Sequence, residues 1–147
     1  MHIPNLLVIP ETVHKLGEYG AYNFSRIELA DPTTGECCVE DMALARLQMA
    51  REAYGYPIKI TSAYRSPKHN QEVHGAAHSY HMKGEAFDIK TPQGTLDDRR
   101  RLFQAVQRAG FTGIGLYKEH LHVDTGPCRY WVGFGETEAT KFWMGVP

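Results

Sequence analysis

Histidine and acidic residues concentrate in two short segments of the 147-residue sequence, HGAAHSYHMKGEAFDI at 74–89 and EHLHVD at 119–124. Imidazole nitrogens and carboxylate oxygens are ligands that zinc takes in proteins, so the two segments are candidates for one metal site. In the first segment, His81 lies seven residues before Asp88. Gly84 stands between them and can adopt the positive φ of a tight turn, which would bring the two side chains together.

The second segment is a predicted strand, in which alternate side chains share one face. His120, His122 and Asp124 fall on the same face by this period of two. A catalytic zinc ion takes three protein ligands and keeps one position for water, so the His81 and Asp88 pair needs one further ligand, either His120 or His122. An exposed loop followed by a strand with an ordinary histidine explains the same residues equally well, because metal motifs in a single sequence carry false positives.

The composition is that of a soluble globular protein, with 42% hydrophobic and 22% charged residues. No apolar run approaches the ~18 to 20 residues that a membrane span needs. The 16 basic and 17 acidic residues leave a formal net charge of −1, so nothing favours long-range attraction to nucleic acid or to an anionic membrane. The length suits one compact domain. We therefore expect a single domain over residues 1–147, a monomer, no nucleic acid partner and no membrane span.

The cysteines and the N-terminal residues indicate in which cellular compartment the protein is expected. Cys37 and Cys38 are adjacent and Cys128 is distant, so the three cysteines do not form a disulfide framework and reduced thiols are expected. The first residues lack a basic segment and contain two prolines within ten positions, so no signal peptide is predicted. We expect a protein that is cytoplasmic until released, or one that is exported by another route.

The remaining sequence predicts the elements that must position the candidate ligands. Residues 1–40 are rich in turn formers and predict little regular structure. Residues 41–55 predict a helix, with an apolar face that should pack on a sheet and comprises Met42, Ala45, Met49 and Ala53.

Downstream of this helix, alternation predicts a strand within 56–64, and a long loop follows at 65–79. A second strand is predicted at 84–90, then a helix at 95–110 that opens with a capping-box pattern. Residues 111–134 predict two strands, or a strand and a turn. This order predicts an α+β fold with a small antiparallel or mixed sheet flanked by helices.

Three sequence blocks resemble one known family. SYHMKGEAFD at 79–88 matches the SxHxxGxAxD signature of the D-alanyl-D-alanine carboxypeptidase and endopeptidase family of zinc peptidases, whose fold is shared with the hedgehog signalling domain. TSAYRSP at 61–67 resembles the SGYRSP segment of that family, and HLHVDTGPCRYW at 120–131 is similar to its third block. The blocks occur in the order of the family and cover about residues 40–131.

The resemblance implies a ligand set and a substrate contact. His81, Asp88 and His122 match the ligands of a single Zn²⁺ ion in the family. Arg65 matches an arginine that contacts substrate, and its planar fork suits a carboxylate or a developing oxyanion. Ser79 matches a position that either binds substrate or holds the loop.

The general base is the assignment that the residues constrain least. Some branches of the family place an acid three residues before the last histidine ligand, and Glu119 occupies that position relative to His122. An ideal strand would turn these two side chains to opposite faces, so Glu119 needs a bend or a bulge there. We expect Glu119 to be the base and His120 either to support a ligand or to be a partner in the transition state. His120 needs no such bend and is the alternative base. Asp124 could orient a ring nitrogen.

The function that the resemblance implies is zinc-dependent hydrolysis of a peptide bond in the stem peptides of bacterial peptidoglycan. The family includes D,D-carboxypeptidases, D,D-endopeptidases and L-alanyl-D-glutamate endopeptidases, and the compact chain favours an endopeptidase of the phage-encoded lytic type, an endolysin. The alternative is a hedgehog-like zinc-binding domain that recognises a partner and hydrolyses nothing.

Overall fold

The computed structural model describes residues 5–133, 139–140 and 142–143. Within these residues the chain forms nine strands: β1 Leu6–Val8, β2 Lys15–Leu16, β3 Ala21–Ser25, β4 Cys38–Glu40, β5 Ile60–Ser62, β6 Ala86–Lys90, β7 Gly113–Leu116, β8 His120–Asp124 and β9 Arg129–Val132. The α-helices are α1 Arg26–Leu29, α2 Asp41–Tyr54, α3 Pro67–Glu72 and α4 Leu96–Arg108. Two 3₁₀ helices lie at Gly17–Tyr19 and Tyr80–Lys83. None of the helices in these described ranges has the length and apolar character that crossing a membrane requires.

A five-stranded sheet forms the centre of the fold, in the order β5-β6-β8-β7-β9. Its neighbours are antiparallel except for β7 and β9, which run parallel. Two further sheets have two strands each, β1 with β4 and β2 with β3. The predicted α+β fold with a small mixed sheet and flanking helices is confirmed.

The two long helices pack against each other and share one apolar core with the central sheet. Helix α4 begins as its sequence predicts, because the hydroxyl of Thr95 accepts the backbone N–H of Asp98 and the Asp98 carboxylate accepts that of Thr95. Leu102 and Val106 on its inner face are 1% and 0% exposed, so burial of apolar surface holds this helix against the core.

The predicted inner face of α2 is wrong. Ala45 and Ala53 are exposed and Met49 is 52% exposed. The buried side chains are Ala43, Leu44, Leu47, Gln48 and Ala50. The alanines and methionines of α2 are distributed over all its faces, so the periodicity of apolar residues does not select one face. Leu44 and Leu47 have the largest buried apolar side chains of the helix, and their burial sets its orientation.

The expectation of little regular structure before residue 40 is also wrong, since strands β1 to β4 and helix α1 lie there. Strand β1 pairs with β4, which lies about 30 residues further along the chain. A strand of three residues leaves almost no local pattern in the sequence from which the pairing could be predicted.

Two segments nearer the candidate ligands also hold more regular structure than expected. The loop predicted at 65–79 contains α3, whose start carries a signal in Ser66 and Pro67: the Ser66 hydroxyl caps the helix and proline stands at its first position. Of the segment predicted at 111–134, the structure describes residues 111–133, and these contain three strands, because the chain returns after β8 to add β9 beside β7.

Candidate metal centre

The central sheet brings two of the candidate ligands face to face. Strands β6 and β8 pair antiparallel, and their register sets Asp88 directly opposite His122. Side chains at opposite positions of an antiparallel pair lie within contact distance on one face. The sheet therefore joins two residues that are 34 positions apart in the sequence.

The third candidate ligand, His81, comes from the 3₁₀ helix just before β6. Ser79 caps this helix, because its hydroxyl accepts the backbone N–H of His81. The helix ends at Gly84, which has a φ of 69°, so the predicted left-handed turn is present. The turn also fits tightly, since a Cβ on Gly84 would lie 2.8 Å from the carbonyl oxygen of Cys38. This tight turn directs the chain from His81 into β6.

The three side chains converge on one oxygen atom. Oδ1 of Asp88 lies 3.2 Å from Nε2 of His81 and 3.1 Å from Nδ1 of His122. His81 is 2% exposed and Asp88 is 6% exposed. Their three ligand atoms lie within 4.8 Å of one another, and no other such cluster of three occurs in the described part of the chain.

The hydrogen bonds of the two imidazoles determine which ring nitrogens are free. Nδ1 of His81 lies 2.7 Å from the carbonyl oxygen of Ala63, which can only accept, so Nδ1 carries the proton and Nε2 has a lone pair. Nε2 of His122 lies 2.7 Å from a carboxylate oxygen of Asp124, so in the neutral ring Nδ1 has the lone pair. Two nitrogen lone pairs and one carboxylate oxygen then face a single point, which is the donor set that suits a cation such as Zn²⁺.

The electrostatics favour positive charge at that point. Burial alone would raise the pKa of the Asp88 carboxyl, but His122 and His81 in their protonated form hold it well below its ordinary value through hydrogen bonds and positive charge. Burial alone would lower the pKa of His122, but the carboxylates of Asp124 and Asp88 raise it. The centre therefore keeps an ionised carboxylate and favours a cation among the three side chains, so the residues fit a bound metal ion.

Arg65 lies against the other oxygen of Asp88. Its Nη2 donates to Oδ2 at 3.3 Å, its Nε donates to the Ser62 hydroxyl at 3.2 Å, and its Nη1 donates to the Asn70 side chain at 3.4 Å. The arginine also lines the cavity above the ligands. It therefore holds Asp88 with Oδ1 turned to the histidines, at the border of the cavity.

His120 and Glu119, the two residues considered for proton transfer, lie in different surroundings. His120 lines the cavity, with its Nε2 4.0 Å from Oδ1 of Asp88, and its ring stacks on Tyr117 at a centroid distance of 4.3 Å. Glu119 is exposed, precedes β8 and is not among the residues that line the cavity. The pairing of β8 with β6 is regular from His120 to Asp124, so no bulge lies between His120 and His122, and Glu119 stands in the turn before the strand.

The cavity above the metal centre has a volume of about 710 Å³, within the usual range for ligand sites. Arg65, Ser79, His81, Asp88, His120 and His122, all of which the sequence predicts as site residues, are part of its lining. His74 and His78 lie at its wall as well, whereas His69 contacts Thr33 and Glu72 elsewhere.

An aromatic and basic wall of this cavity was not predicted from the sequence. It consists of Tyr80, Arg129 and Trp131, beside Tyr117. The indole N–H of Trp131 donates to the Tyr117 hydroxyl at 3.0 Å. The alternation of Arg129 with Trp131 in CRYW was the available signal, because residues two apart in a strand share a face.

The fold and the donor set define an α+β metal-binding domain with a cavity open above the ligands. A sequence model of the family described as peptidase M15 matches residues 22–124, which is more than half of the chain. The chain belongs to the peptidase M15 family.

Curated relatives agree with this assignment. Peptidoglycan L,D-endopeptidase MepK of Escherichia coli is 37% identical over 82 residues, 51% of this chain and 43% of that protein. Zinc D-Ala-D-Ala carboxypeptidase of Streptomyces albus G is 37% identical over 93 residues, 58% of this chain and 35% of that protein. The probable MepK of Haemophilus influenzae is 32% identical over 83 residues, 52% of this chain and 43% of that protein. The chain thus spans less than half the length of these relatives.

Proposed function

We propose that this chain is a zinc peptidase that hydrolyses a peptide bond in the stem peptides of bacterial peptidoglycan, as an endopeptidase or a carboxypeptidase. The observation that carries the proposal is the convergence of His81, Asp88 and His122, with both imidazoles held so that a lone pair faces the same carboxylate oxygen. Membership of the peptidase M15 family and the similarity to peptidoglycan L,D-endopeptidase MepK and to zinc D-Ala-D-Ala carboxypeptidase support the proposed reaction and substrate class.

In this proposal one Zn²⁺ ion is held by Nε2 of His81, Oδ1 of Asp88 and Nδ1 of His122. When bound, zinc lowers the pKa of water toward ~7 and polarises a peptide carbonyl. The side chain of Arg65 orients Asp88 through its hydrogen bond to Oδ2, and because Arg65 also borders the cavity, its guanidinium can bind the oxygen on which negative charge develops. Ser79 fixes the backbone of the 3₁₀ helix and lines the cavity, so we assign it to loop support and to contact with the substrate.

We assign the proton transfer to His120. Burial lowers the pKa of its imidazole, aided by the nearby His122 and His81, although Asp88 opposes this effect. A neutral imidazole beside the reacting groups can take a proton from water and pass it to the leaving amine. Glu119, which the sequence analysis favoured, would first have to turn from solvent into the cavity.

The test is digestion of purified peptidoglycan by the zinc-loaded protein, with mass spectrometry of the fragments. New peptide ends that disappear with a chelator support the proposal, and their identity names the bond. Intact peptidoglycan in the presence of zinc-bound protein would favour the non-hydrolytic, hedgehog-like alternative.

The same assay distinguishes the two candidate bases at equal zinc content. His120→Ala should lower kcat about 10²- to 10⁴-fold, the usual contribution of a positioned acid or base. Glu119→Gln should stay close to the wild-type rate. A large loss in Glu119→Gln together with an active His120→Ala protein would return the role to Glu119.

The remaining expectations from the sequence stay predictions, including the absence of a nucleic acid partner and the endolysin type. Light scattering after size exclusion tests the monomer, and limited proteolysis tests a single domain over residues 1–147. Cell fractionation tests a protein that is cytoplasmic until released.

A further inference from the structure

Asp124 is a fully buried carboxylate beside the metal centre, with 0% exposure. It accepts the Nε2 proton of His122 at 2.7 Å, and its Oδ1 accepts the backbone N–H of Gly126 at 2.9 Å. Arg129 donates to both oxygens, from Nη1 to Oδ1 at 2.9 Å and from Nη2 to Oδ2 at 2.8 Å. This two-point contact fixes the plane of the carboxylate, which a single hydrogen bond would leave free to rotate.

Arg129 is itself held firmly, although it lies on β9 and not on the ligand strands. Its guanidinium carbon lies 5.2 Å from the ring centre of Tyr80 and 5.0 Å from that of Trp131. Its Nη1 also donates to the carbonyl oxygen of Pro127 at 2.9 Å. Both aromatic contacts favour the cation at this position, and together with the carbonyl they leave the side chain little freedom to move.

The sheet leaves space for this ion pair. Gly113 on β7 stands opposite Asp124 on one side and opposite Arg129 on the other. A Cβ at this position would overlap Oδ1 of Asp124 and Nη1 of Arg129. Any other residue at position 113 would therefore displace the pair.

We propose that Arg129 is a positioning residue that acts through Asp124: it holds the carboxylate so that the imidazole of His122 keeps Nδ1 turned to the metal position. Partners that hold the second nitrogen of a ligand histidine set the orientation of the ring and typically change metal affinity 10- to 100-fold when they are lost. The inference rests on the zinc site of the proposed function and adds a residue from a third strand to it.

The first experiment measures zinc affinity by chelator competition in Arg129→Gln. The affinity should fall about 10- to 100-fold, and the visible spectrum of the cobalt-substituted protein should change because the geometry at His122 changes. Arg129→Lys keeps the charge but lacks the planar fork, so it should recover only part of the affinity. The matched control is Arg101→Gln, since Arg101 is an exposed arginine over the ring of Tyr56, and this variant should bind zinc like wild type.

The second experiment asks whether Arg129 acts through Asp124. If it does, the double variant Arg129→Gln/Asp124→Asn should bind zinc no more weakly than Asp124→Asn alone, whereas independent effects would add. Additive losses would overturn the proposal.

A wild-type zinc affinity and cobalt spectrum in Arg129→Gln, with only KM raised, would also overturn the proposal and assign Arg129 to substrate binding. If Arg129→Gln does not fold, Arg129→Lys serves for the same comparison. Wild-type protein that binds no zinc would instead overturn the proposed function, and the positioning role with it.

Discussion

At the scale of single residues, the two histidines of the centre offer different ring nitrogens to the same oxygen of Asp88. His81 uses Nε2 because a backbone carbonyl holds its Nδ1, and His122 uses Nδ1 because Asp124 holds its Nε2. The spacing of residues in the sequence can suggest which histidines meet, but the free nitrogen depends on these partners from other parts of the fold. Ala63 and Asp124 are therefore as much a part of the metal centre as the ligands.

A prediction at this scale concerns Tyr117, whose ring stacks on His120 with 13° between the planes. Ring pairs of this kind contribute about 0.5–1.5 kcal/mol beyond the area that they bury. Tyr117→Leu should therefore lower kcat by up to about tenfold and leave zinc affinity unchanged, because the stack holds the residue assigned to proton transfer. Tyr117→Phe, which keeps the ring, is the control and should retain most of kcat. Equal losses in both variants would assign the effect to the hydroxyl instead.

At the scale of elements, the turn at Gly84 joins the 3₁₀ helix of His81 to the strand of Asp88. Gly84→Ala would combine a left-handed backbone with a clash against the backbone of Cys38 and Val39. We expect it to lower the free energy of unfolding by about 1–3 kcal/mol or more and to weaken zinc binding, since His81 must shift. Urea unfolding and chelator competition measure the two effects.

The matched control for this turn is Gly55→Ala. Gly55 has a φ of 81°, but a Cβ there would meet no atom within 4 Å. Gly55→Ala should lower the free energy of unfolding through backbone strain alone and should bind zinc with wild-type affinity. Similar results for both variants would mean that the fit of Gly84 against β4 contributes nothing to the site.

The loop after α1 is joined to α3 by the buried carboxylate of Asp31. Its oxygens accept the backbone N–H groups of Ser66, Thr33 and Thr34. Burial alone would raise the pKa of Asp31, but hydrogen bonds from Ser66, Thr33 and Thr34 hold it below its ordinary value. The pKa of Asp31 is lower in the folded chain than in the unfolded chain, where it is about 3.9. The ionised carboxylate therefore stabilises the fold above this pH, and the stabilisation is lost as the pH falls through the pKa of the folded state.

Asp31→Asn should therefore cost about 1–3 kcal/mol of unfolding free energy at pH 7, because an amide cannot accept on both sides. The difference from wild type should shrink below about pH 4, where the wild-type carboxyl also takes up a proton. Urea unfolding of both proteins at pH 7 and at the lowest pH where both fold measures this. A difference that grows on acidification would contradict the role of the ionised carboxylate.

At the scale of the whole molecule, the parts that the sequence predicts are those with local signals. Helix α4 has a capping box and an apolar face that includes Leu102 and Val106. The segment from His81 to Asp88 contains a single turn, which is made by Gly84. The pairing of β1 with β4, the face of α2 and the return of β9 beside β7 depend on contacts between distant segments, which no local pattern encodes. Arg129 lies only five residues after its partner Asp124, but the two meet because the chain turns between β8 and β9 and β9 then pairs with β7, which the sequence does not indicate.

The last prediction concerns the molecule as a unit. Zinc that binds the folded chain and not the unfolded one stabilises by mass action, about 4 kcal/mol at a free concentration 1,000 times its Kd. For a chain of this size, each kcal/mol of stabilisation raises Tm by about 2–4 °C. Removal of zinc by a chelator should therefore lower Tm by roughly 10 °C, which calorimetry measures.

His81→Ala should show no such zinc-dependent shift in Tm, whereas His74→Ala and His78→Ala should keep it, because these two histidines line the cavity without joining the ligand cluster. An equal Tm with zinc and with chelator in the wild-type chain would contradict the metal centre. A shift that survives in His81→Ala but disappears without His74 and His78 would place the ion at the wall of the cavity instead.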